Sequence, residues 1–181
     1  MHSLTDIIKQ DVSLSQKLLK FVAETNHSGV QIASIHDAVV RFGLNRLKSW
    51  ASMLVLSGVD DKPFELFTTA LTRAKFCEIV GAKIGNASID SYFTVGLFSC
   101  LDAVMDTDLA VLIKKLGLEA RIEAALLQEQ GDLGQVLTMV KGLERGRTDF
   151  LVPKGLTPTE ASTMYLQAMK FAETVDVGKK K

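Results

Sequence analysis

Phe64–Ile84, FELFTTALTRAKFCEIVGAKI, and Tyr92–Met105, YFTVGLFSCLDAVM, decide the fold. In the first, Phe67, Ala70, Leu71, Ala74 and Cys77 recur at spacings of three and four, the period of one helix face. Both stretches are more apolar than a helix with one wet face should be, so they are expected to form the central pair of a bundle.

The same period runs outward along the chain. Leu14, Leu18, Leu19 and Val22 share one stripe, and Leu47, Trp50, Ala51 and Leu54 share another. Ser3 to Asp6, Ser34 to Asp37 and Thr157 to Glu160 have capping-box spacing, in which the hydroxyl accepts the N3 amide and the acid reaches back to the cap amide. Pro158 suits a first helical position, where a missing N–H costs nothing. The spacing predicts helices over 4–9, 12–24, 34–42, 45–57, 63–84, 90–105, 107–115, 119–130, 132–145 and 158–174, with Gly142 to Gly155 a polar, exposed connection. No hairpin signal and no internal repeat occurs. The expected class is all-α, a multi-helix bundle with Trp50, Phe93 and Phe98 buried.

Composition narrows the function. The chain has 181 residues, 47% hydrophobic with only 3 Pro, enough for one full core and too apolar for disorder. Lys and Arg number 21 against 21 Asp and Glu, so a broad cationic nucleic-acid footprint is not expected. No signal peptide or run of membrane-spanning length is legible, and Cys77 and Cys100 suit a reduced, cytoplasmic interior.

Few residues carry chemistry. His36-Asp37 has the look of a metal-binding pair, but only 3 His exist and the Ser34 capping box already accounts for Asp37. Cys77 and Cys100 lie among apolar neighbours, where thiols are inert. Neither phosphate-loop glycine pattern is present; Gly81 and Gly85 read as close helix packing followed by a cap, and Lys179-Lys180-Lys181 as a solvated tail. No catalytic residue, metal ligand or cofactor site is therefore assigned. The oddities are Arg73, Ser99 and Asp102, polar groups inside the apolar pair of helices. Either Arg73 and Asp102 pair in the interior, or Asp102 sits at a helix edge and Arg73 reaches water.

Several blocks together resemble one family. Ile8-Lys9-Gln10-Asp11-Val12-Ser13-Leu14-Ser15-Gln16-Lys17-Leu18-Leu19-Lys20-Phe21-Val22 is similar to the opening of HDOD domains, with Val12 where the family commonly has Pro. Ser34 through Gly43, then Leu47 and Trp50, resembles the next HDOD signature. Asp90 through Ala103, with Phe93, Gly96-Leu97-Phe98-Ser99 and Leu101-Asp102-Ala103, resembles the HDOD region of bacterial EAL-HDOD (YuxH-like) signalling proteins. Leu116-Gly117-Leu118, Ile122, Ala125-Leu126, Gly131, Gly134 and Leu137 continue that pattern.

The resemblance implies an HD-like helical fold over 1–150, with 151–181 a C-terminal helix and basic tail on the same domain. It implies a non-catalytic regulatory module, the C-terminal part of a longer protein linked to cyclic di-GMP. Its partner would be an EAL domain of the same polypeptide or of another signalling protein, with a homodimer possible and neither nucleic acid nor membrane as partner. Relatives that hydrolyse phosphoesters carry a metal-binding His-Asp after Gly-Leu-Leu; here Ser99-Cys100 follows Gly96-Leu97-Phe98, and the upstream His falls near Arg73. The expectation for that former metal site is a buried Arg73–Asp102 ion pair with Ser99 adding a hydrogen bond. The alternatives are an active metal phosphohydrolase and a free-standing adaptor.

Overall fold

The computed structural model describes residues 43, 46, 49, 64–85, 88–147 and 149–174. Within them every regular element is helical: α1 Phe64–Lys83, α2 Ile89–Phe98, α3 Leu101–Met105, α4 Leu109–Leu116, α5 Ala120–Gln128, α6 Gly131–Glu144 and α7 Pro158–Thr174. The helices expected over 4–9, 12–24 and 34–42, the capping boxes at Ser3 and Ser34, and Trp50 lie outside the described residues.

The two decisive stretches are the central pair. Ser91 through Phe98 are all buried, so α2 runs through the core with no wet face. It packs along α1, which buries Phe67, Leu71, Ala74, Cys77 and Val80. Gly96 makes the closest approach: a Cβ there would lie 2.5 Å from the Arg73 backbone carbonyl carbon. Gly81 gives room to the Tyr92 ring, and Gly85 ends the stretch with φ +73°, as close packing followed by a cap requires. Phe93 and Phe98 are buried as expected.

Around this pair, α7 packs on α1 with Ala161, Ala168, Phe171 and Ala172 buried, and Tyr165 meets Phe76 edge-on at 6.2 Å. Its start is the capping box read from the sequence: Glu160 N donates to Thr157 Oγ1 at 3.2 Å, and Thr157 N donates to Glu160 Oε2 at 2.9 Å. Helix α6 closes another side through Leu133, Val136, Leu137 and Val140, and Tyr92 donates to Asp132 at 2.9 Å. Arg46, in helical backbone upstream, clamps α1 to α2 by donating to Glu78 at 2.7 Å and Asp90 at 2.6 Å.

Two expectations are corrected. The helix expected over 90–105 is broken at Ser99-Cys100 into α2 and α3. Ser99 Oγ donates to the Gly96 carbonyl at 2.7 Å, while the Ser99 carbonyl accepts from Arg73 at 3.3 Å. Local back-bonding of this kind competes with helix continuation. Nor is the stretch 142–155 wholly exposed: Gly142 and Pro153 are buried, and Phe150 turns back onto α6.

Candidate functional site

At the crossing of α1 and α2, the backbone contact allowed by Gly96 brings Arg73 of α1 beside the Ser99-Cys100 break. Arg73 Nη1 donates to Ser99 Oγ at 3.1 Å and to Cys100 Sγ at 3.4 Å. The rest of the guanidinium faces Glu144, at the end of α6. Nε donates to Oε1 at 2.8 Å and Nη2 to Oε2 at 2.7 Å, the two parallel bonds of a bidentate pair. The side chains keep only 16% and 19% of their exposure. Burial works against the charged form of Arg73, yet the hydrogen bonds to Glu144 hold its pKa above the ordinary arginine value.

The expected Arg73–Asp102 pair is therefore overturned. Ser99 does reach Arg73, but the carboxylate on the guanidinium is that of Glu144, and Asp102 is exposed. The physical reason is the helix break: Ser99 and Asp102 share a face only if one helix runs through both. Once α3 starts afresh at Leu101, Asp102 lies in its first turn, facing solvent. Sequence reading missed Glu144 because it fell within the stretch Gly142 to Gly155, taken as exposed. Its signal was periodic: Leu133, Leu137, Val140 and Glu144 stand at i, i+4, i+7 and i+11, one stripe of α6 ending in a carboxylate.

Both thiols are buried and closed to nucleophilic work. Burial pushes Cys77 up to about 12 against the pull of Arg73. Burial likewise raises Cys100, although Arg73 and the Ser99 hydroxyl favour its thiolate. Among the described residues no three His, Cys, Asp or Glu side chains converge as a metal site would require. His36-Asp37 lies outside them.

The part-buried Arg73 beside Ser99-Cys100 sits in a wholly helical frame among the described residues, as the expected HDOD-type bundle requires. Residues 1–130 match the HDOD domain family. The chain belongs to the HDOD family. This HDOD domain is 31% identical over 180 residues to the uncharacterized protein YuxH of Bacillus subtilis, covering 95% of the chain and 44% of that protein. It is 34% identical over 142 residues to the cyclic di-GMP phosphodiesterase CdgJ of Vibrio cholerae, covering 77% of the chain and 33% of that protein. The chain thus spans less than half the length of these relatives. No solved structure matches it. Glu144 lies beyond the residues matched to the family but inside the span shared with YuxH. No helix among the described residues is long and apolar enough to cross a membrane.

Proposed function

We propose that this HDOD domain is a non-catalytic regulatory module of bacterial, cytoplasmic signal transduction, tied to cyclic di-GMP. It acts by contact with an EAL-type phosphodiesterase domain, in its own polypeptide or in another signalling protein. The observation that carries this reading is the Arg73–Glu144 pair. Where metal-dependent relatives need a neutral imidazole, this chain holds a permanent cation gripped by a carboxylate. A guanidinium cannot ligate a metal, and its charge repels a divalent ion from the same space. The similarity to CdgJ supports the link to cyclic di-GMP.

The test has two arms. Protein purified without chelator is assayed for bound metal and, with added manganese, for hydrolysis of cyclic dinucleotides. The cyclic di-GMP phosphodiesterase rate of an EAL domain is then measured with and without this chain. The expected result is neither metal nor hydrolysis, together with a changed EAL rate. Stoichiometric tight metal, or turnover abolished by His36→Ala, would establish the phosphohydrolase instead. An unchanged EAL rate would leave a free-standing adaptor.

A further inference from the structure

One face of α6 and the loop after it line an open cleft of about 550 Å³ that the Arg73 site does not use. One wall is a stripe of α6: Gly131, Gln135, Thr138, Lys141 and Gly142. The opposite wall is the returning loop, Arg147 and Asp149 through Leu151, with the Phe150 ring so close to Gly142 that a Cβ there would lie 3.0 Å from it. Ligand cavities commonly measure roughly 300–1,000 Å³, so this one has the size to hold a small molecule.

Its lining is divided by chemistry. Three cations, Lys141, Arg145 and Arg147, face two carboxylates, Glu129 and Asp149. Lys141 donates to Glu129 at 2.7 Å, and Arg147 grips Asp149 through bonds of 2.8 and 2.7 Å. Both carboxylates are thus paired, and the Arg145 side chain, whose charge also favours the ionised Glu129, forms no hydrogen bond or ion pair among the described residues. Its backbone is nevertheless held. Arg145 N donates to Gly142 O at 3.0 Å, Arg147 N donates to the same oxygen at 2.9 Å, and the preceding Glu144 is anchored by Arg73. A guanidinium on an anchored backbone, with its fork of donors unspent, suits the oxygens of a phosphate. Phe150 and the exposed Leu151 supply an apolar wall for a flat ring, while Gln135 can donate and accept at a ring edge.

We infer that this cavity binds a small phosphate-bearing ligand with a planar ring, of the nucleoside monophosphate class, with Arg145 on the phosphate and Phe150 against the ring. Apart from Glu129, the site lies in α6 and the loop after it, beyond the residues matched to the family, and it does not depend on how the domain acts on a partner.

Calorimetric titration of the whole chain tests it, with adenosine and guanosine monophosphates, inorganic phosphate, guanosine and hexaglutamate as probes. At least one monophosphate should bind saturably, and at least about tenfold more tightly than phosphate or guanosine alone. Arg145→Glu should weaken it by at least about tenfold, Phe150→Ala should weaken it while sparing the folded circular dichroism spectrum, and Lys114→Glu, at an exposed position of α4, should leave it unchanged. Overturning results are no saturable binding of either monophosphate, equal affinity for inorganic phosphate, equal binding by Arg145→Glu, or preference for hexaglutamate, which would make the cavity a peptide site.

Discussion

Replacing Glu144 by Gln keeps the side chain's shape and removes the charge that holds Arg73. Breaking a fully buried pair costs about 3–5 kcal/mol, and breaking an exposed one about 0–1 kcal/mol. With 16% and 19% of their side-chain exposure left, Arg73 and Glu144 stand nearer the buried limit, so about 2–3 kcal/mol is expected. At about 2–4 °C per kcal/mol for a chain of this size, Tm should fall by about 5–10 °C. Arg73→Met should cost a similar amount, since it strands the Glu144 carboxylate, whereas Ser99 Oγ keeps its bond to Gly96. Thermal and urea unfolding followed by far-UV circular dichroism would measure a double-mutant cycle. The Arg73→Met, Glu144→Gln double variant should fall short of additivity by about 1–2 kcal/mol, while Arg73→Met with Asp102→Asn should add within about 0.5 kcal/mol. Asp102→Asn alone should stay within about 0.5 kcal/mol of the parent, as exposed substitutions do. Strict additivity of Arg73 with Glu144, or a loss at Asp102 as large as at Glu144, would refute the assignment of the pair.

Three further outcomes are expected. Gly96→Ala places a methyl 2.5 Å from the Arg73 backbone, an overpacking that should cost at least about 1–3 kcal/mol in urea unfolding; a parent-like midpoint would show that the helices are farther apart. Phe98→Ala, at a side chain 3% exposed, should cost about 3–5 kcal/mol and lower Tm accordingly, and a wild-type melt would contradict its burial. Cys77, whose thiol burial holds up to about 12, should stay unmodified by iodoacetamide in the folded chain at pH 8 and react once urea unfolds it. Because its folded pKa is raised, the neutral thiol's stabilisation is complete below the unfolded value and is lost as pH climbs toward about 12, so stability should fall in alkaline solution, less so in Cys77→Ala.

The fold was legible because helical periodicity is a local property. The 63–84 stripe became α1 within a residue at each end, and the Thr157–Glu160 box with Pro158 placed the start of α7. Caps and stripes act within a few residues, so each can be read without knowing what lies across the core. The candidate site was legible only in part. The family pattern marked Arg73 and Ser99 as neighbours in space, and they are. It could not supply the partner, because Glu144 is 71 residues from Arg73 and lies outside the matched block.

By itself, then, the sequence determined an all-helical fold class, a central apolar pair and two thiols set among apolar neighbours. The tertiary structure decided where α2 ends, which carboxylate neutralises Arg73, and that the α6 loop folds back to line an open cleft. Each of these depends on which side chain arrives from a distant helix. Arg73 can take the Ser99 carbonyl out of a helical ladder only because Gly96 lets the two backbones touch. Asp102 is nearer in the chain and carries the same charge as Glu144, but the break turns it to water, and geometry rather than sequence proximity selects the ion pair.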